Sequence, residues 1–137
     1  LWLSTLAVSW ALTGLIWTIQ LVHYPSFRYV SAAEFAAFHR HHTWSIVPIV
    51  AALMLLELCL AVWMAFLNGW SLLFVIPLLA VLVIWASTFS LSIPLHRRLG
   101  RGKDATAIRL LVNTNWPRTV LWTAKAVWVT WLFAKRL

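Results

Sequence analysis

Five histidines in a chain with only three acidic residues are the side chains best suited to chemistry. His23, His39, His41, His42 and His96 all fall near the ends of long apolar runs, and none lies deep inside one. Gln20 and His23 are three residues apart and share a face if that stretch is helical, as do His39 and His42, with His41 turned elsewhere. Neutral imidazole nitrogens from several helices are the usual material of a metal centre in a helical bundle. His23, His39, His42 and His96, in some subset, are therefore the candidate ligands of iron, copper or zinc. His23 and His96 also suit the axial positions of a non-covalent haem or a chlorin. A covalent c-type haem is excluded, because no Cys-x-x-Cys-His is present. Gln20 and Asn115 can orient reacting groups by hydrogen bonding, which makes Gln20, His23 and Asn115 the candidate catalytic residues. The competing reading is structural: histidine is amphipathic, and five near segment ends can serve as interface anchors and caps.

Two further constellations carry charge into apolar sequence. Glu57 and Lys125 lie inside separate runs at similar depth from one end, and intramembrane charges of opposite sign usually pair. The expectation is a buried ion pair, either fixing helix register or relaying protons. Arg118 follows Asn113-Thr114-Asn115-Trp116-Pro117, which reads as a helix start capped by Thr114 or Asn115. It is a candidate contact for a lipid phosphate or an anionic substrate group. Cys59, the single cysteine, sits in an apolar run and reads as a small buried core residue.

These residues need elements to position them, and the composition says which. The chain is 63% hydrophobic and 10% charged over 137 residues, too apolar for a soluble domain of this size. Runs of about 20 residues match the length a helix needs to cross a bilayer. They cover residues 2–22, 45–67, 72–93 and 116–133. The alternation of a membrane barrel is absent. The expected architecture is a single all-α, four-helix transmembrane bundle. Ser31-x-x-Glu34 has capping-box spacing, and predicts a short interfacial helix between the first two spans, or an extension of the second span that Pro48 would kink. No basic leader precedes the first run, which reads as a retained helix rather than a cleaved signal. A faint internal echo is also present: the first run ends in His23 and Pro25, the third in Pro94 and His96.

Eight basic residues, from Arg28 and Arg40 to Arg109 and Arg118, fall in or beside the two polar connections. Only Lys135 and Arg136 fall on the opposite side. The positive-inside rule then puts both polar loops in the cytoplasm and both termini outside the inner membrane. The net charge of +8 belongs to this flanking pattern. It forms no basic stripe interleaved with aromatics, so nucleic acid is not an expected partner.

Gln20-x-x-His23-Tyr24-Pro25, Phe38-His39, Pro48 with Glu57, Pro94-x-His96 and Asn115-Trp116-x-Arg118-Thr119 occur in this order along the chain. Together they resemble small four-helix bacterial membrane proteins distantly similar to the anthrone-oxygenase-like family. That resemblance implies a four-helix membrane fold and oxidative chemistry on a lipophilic or aromatic substrate. The sequence thus points to an integral membrane oxidoreductase with a His-rich metal or substrate site at the cytoplasmic interface. The alternative is a non-catalytic accessory subunit of a larger respiratory or photosynthetic membrane complex, binding lipid or a pigment.

Overall fold

The computed structural model describes residues 1–137, and every regular element in it is helical. Helix α1 covers Trp2–Thr18 and passes directly into a π-helical turn, Ile19–His23. A short helix, α2 (Tyr24–Ser26), and a 3₁₀ turn, Phe27–Tyr29, follow. Helix α3 runs from Phe35 to Leu67. Helix α4 (Leu72–Ser87) enters a second π-helical turn, Thr88–Ser92, then α5 (Ile93–Leu99). Helix α6 spans Ala105–Ala134.

Two boundaries differ from the sequence expectation. Of the two forms expected for the first connection, the chain takes the extension of the second span and not a separate interfacial helix: α3 begins at Phe35 and continues through Pro48 without a break. The Ser31 hydroxyl accepts from the Glu34 amide and donates to the Glu34 carboxylate, and the chain turns into α3 there. Likewise α6 does not start at Trp116. Asp104 caps it by accepting from the Ala107 amide at 2.9 Å, and Pro117 lies inside the helix, with Asn115 in its interior. A proline deletes one ladder hydrogen bond, which the turns on either side tolerate when other helices pack around them.

The helices form a ring in chain order, α1 beside α3, α3 beside α4, α4 beside α6 and α6 beside α1. Three stretches are long and apolar enough to cross a membrane: Trp2–Tyr29, Phe35–Leu67 and Leu72–Leu99. Their outer faces expose apolar side chains such as Val47, Ile49, Leu55, Val62, Leu79 and Val83, as a lipid-facing surface does. Cys59 is among the exposed residues rather than in the core. Helix α6 is more polar, and its polar groups turn inward: Asn115, Arg118, Thr119 and Lys125 are all buried.

Side-chain contacts define the two ends of the bundle. At one end Lys103 donates to the carbonyls of Arg28 and Val30, at 2.8 and 2.7 Å, tying the two polar connections together. At the other, Arg136 donates to Asn68, and Trp2 packs on Phe74 and Phe133. The Asn68-Gly69 turn there places Gly69 at φ +62°, a conformation glycine adopts without steric cost.

Candidate functional site

The site begins at Phe27, which is wholly buried. Its ring meets His23, His39, His42, Phe35 and Phe38 edge to face. Histidines of α3 and of the chain leaving α1 thus share one aromatic support. Helical spacing puts His39 and His42 on the same inward face of α3, and His41 is exposed. Helix α5 brings His96 against both.

Four imidazoles therefore gather at the end of the bundle where the polar connections lie. His23 Nε2 and His42 Nδ1 are 2.6 Å apart. His39 Nε2 and His96 Nδ1 are 3.0 Å apart, and His96 Nε2 is 3.1 Å from the Tyr24 hydroxyl. Each contact needs a hydrogen on one side only, so the tautomers along Tyr24–His96–His39 are coupled. Tyr24, part of the first motif but given no role from sequence, joins the cluster because the π-helical turn rotates the chain just before it.

That same turn separates Gln20 from His23. A π turn closes i→i+5 bonds, so residues three apart no longer point the same way. Gln20 faces α6, where its Oε1 accepts from Asn115 Nδ2 at 2.7 Å and its Nε2 donates to the Val112 carbonyl. Both amides are buried and hold α1 to α6, and neither lines the adjoining cavity. His23 also lies outside the cavity wall, its ring tilted against that of His42.

The cavity has a volume of about 640 Å³ and lies between α1, α3, α4 and α5, with α6 as its floor. Apolar side chains including Leu12, Ile16, Val50, Met54, Trp85 and Trp122 form most of its wall. His39, His42, His96, Tyr24, Ser92 and Arg118 line it as well. Ser92 is held by the second π-helical turn and accepts a hydrogen bond from Arg118 Nη1.

Glu57 and Lys125 form a buried ion pair near the middle of the bundle. Trp122 Nε1 donates to the other carboxylate oxygen at 2.9 Å, and Lys125 also donates to Ser9 at 2.9 Å. Trp122 stands between this pair and the large cavity, which it lines. On the far side of the pair is a void of about 20 Å³, room for one water.

Imidazole chemistry suits a transition metal. Of the two histidine pairs, only His39–His96, with nitrogens 3.0 Å apart, approaches the spacing of neighbouring ligands on one ion bound at ~2.0–2.1 Å; the 2.6 Å between His23 and His42 is a hydrogen-bond distance. No group of three or more His, Cys, Asp or Glu side chains converges on one point, however. Compared with known proteins, the chain matches no protein family, no characterised protein and no solved structure.

Proposed function

We propose that this chain is an integral membrane oxidoreductase, oxygenase-like in kind, that takes a lipophilic substrate from the bilayer into the large cavity. One observation carries the reading: a single apolar cavity of about 640 Å³ has imidazoles and a phenol on its wall. Ligand sites are typically ~300–1,000 Å³, mostly apolar, with a few convergent polar groups. Most of the surrounding surface is apolar, so a molecule dissolved in lipid reaches the opening without crossing water. The reading places the polar loops on the cytoplasmic side of an inner membrane.

His39 and His42 polarise the substrate's reactive end, and the His96–Tyr24 pair moves a proton to or from it. His23 supports His42 from behind. Loss of a proton from a hydroxyl raises the electron density of an aromatic or quinol-type substrate. Electrons then pass more readily to an acceptor such as dioxygen or a membrane quinone. A metal held by a pair of these imidazoles, such as His39 with His96, rather than by all four of His23, His39, His42 and His96, would supply redox or Lewis-acid chemistry at the same place. Proton movement needs only the imidazoles and the phenol.

The test is the content of the purified protein. Native protein should retain a lipophilic molecule that organic extraction and mass spectrometry identify, and Ala51→Trp, which adds bulk at the cavity wall, should hold less of it. His39→Ala and His96→Ala should keep the molecule but leave it unconverted. An absorption spectrum and metal analysis of the same preparations report any metal, haem or chlorin. Equal lipophile content in native and Ala51→Trp protein would overturn the assignment.

A further inference from the structure

We propose that the ligand of the large cavity is a lipophilic acid bound as its anion, with the ionised oxygen on Arg118. This inference rests on the cavity being a ligand site and adds the class of ligand.

Arg118 is 6% exposed, lines the cavity, and has no acidic partner. The chain's three carboxylates are all engaged elsewhere: Glu57 with Lys125, Asp104 with Arg98, and Glu34 with Ser31. Of the guanidinium's five N–H donors, Nη1 is hydrogen-bonded to Ser92, the Tyr24 hydroxyl lies within reach of the group, and its carbon sits 5.7 Å from the centre of the Trp122 ring, but no carboxylate meets it. Arg118 Nε has no partner, and neither does Trp85 Nε1, whose residue also lines the cavity. The wall therefore has donors in excess and carries Arg40, Arg97 and Arg118 without a single carboxylate. A buried cation without a counter-charge is expensive, and membranes make it more so. An incoming oxyanion supplies both the missing charge and the missing acceptors. Tyr24 lies beside the same guanidinium, so the anion sits next to the imidazole–phenol chain, with its apolar body toward Val50 and Met54.

A free lipophilic acid and the phosphate of a bilayer lipid both offer this chemistry, and competition separates them. The full-length protein in nanodiscs is photolabelled with a diazirine derivative of palmitate at a pH well above ordinary carboxyl values, and labelled residues are mapped by mass spectrometry. Label is expected on α3 around Val50 and Met54. Palmitate or 1-pyrenebutyrate should displace it at concentrations about tenfold below their methyl esters, the lower end of what a charge-assisted hydrogen bond contributes. Displacement by phosphatidic acid in preference to both acids identifies the lipid phosphate as the source of the anion. Arg118→Gln should erase the difference between acid and ester, and Arg118→Lys should keep part of it. Esters that compete as well as acids against native protein overturn the anion assignment and leave the cavity reading standing, a result that needs no variant to fold. Absence of any displaceable label in the cavity overturns both.

Discussion

At His96 both ring nitrogens are engaged at once, Nδ1 with His39 and Nε2 with Tyr24. A neutral imidazole carries one N–H and one bare nitrogen. If the Tyr24 hydroxyl donates to Nε2, the His96 hydrogen must sit on Nδ1 and point at His39 Nε2. A proton arriving at one end of the chain can then leave from the other by a switch of tautomers. Tyr24→Phe removes the donor and should release the constraint. In histidine-selective ¹⁵N NMR the native protein should show His96 in one tautomer and the variant a mixture. The substitution should lower stability by about 1 kcal/mol, the net worth of one hydrogen bond. Identical His96 nitrogen shifts in the two proteins would show that Tyr24 does not set the tautomer.

Among the elements, the two π-helical turns do most to aim the site. Each widens a helix just before a proline, Ile19–His23 ahead of Pro25 and Thr88–Ser92 ahead of Pro94. A π turn is one residue more than an α-helix needs, so deleting the exposed Leu21 should restore regular helix and rotate His23 and Tyr24 away from α3 and α5. Helical content by circular dichroism should persist while retention of the lipophile proposed for the cavity falls. Full retention in the deletion variant would mean that the turn does not aim the site. The start of α6 gives an independent check on how an element is set. The Ala107 amide hydrogen bond, then Arg98, holds the Asp104 carboxyl below its ordinary value. A carboxyl lowered in the folded state stabilises above its unfolded value, and that contribution is lost as pH falls through the lowered one. Asp104→Ala should therefore speed hydrogen exchange at Ala107 at neutral pH. Asp104→Asn should keep the cap and lose its pH dependence. These cases show what was legible in the sequence. Apolar run length located the long helices, and the placement of histidines at run ends was enough to foresee that segment ends would meet. Run length stopped short of the true helix starts, because hydrogen bonding continues through polar sequence to Phe35 and to the Asp104 cap. The Tyr24–His96 contact, the Gln20–Asn115 pair and the cavity depend on rotation about helix axes. A single inserted residue fixes that rotation, and no composition or spacing rule reveals it.

The whole molecule reads as two similar halves, each a helix with a π turn and a proline followed by a long helix with an internal proline, Pro48 or Pro117. The large cavity lies between them. Their side chains are complementary rather than alike: the first half supplies three of the four clustered histidines and Glu57, the second His96, Arg118 and Lys125. The Glu57–Lys125 pair joins the halves across the centre, where both side chains are almost fully buried. An exposed pair would contribute under ~1 kcal/mol. Removing one partner of a buried pair costs ~3–5 kcal/mol, because the other charge is left uncompensated, whereas replacing both can be neutral. Glu57→Gln and Lys125→Met should therefore each lower the unfolding midpoint sharply in a detergent or denaturant titration, and the double variant should recover most of the loss. Trp122 gives the same measurement a second reading. Its indole N–H donates to Glu57 while its ring lines the cavity, so in Glu57→Gln the lipophile proposed for the cavity should be held more weakly. The double variant should regain stability without regaining full binding. Additive losses in the double variant would mean that the two charges act separately, and that the ion pair is not what joins the halves.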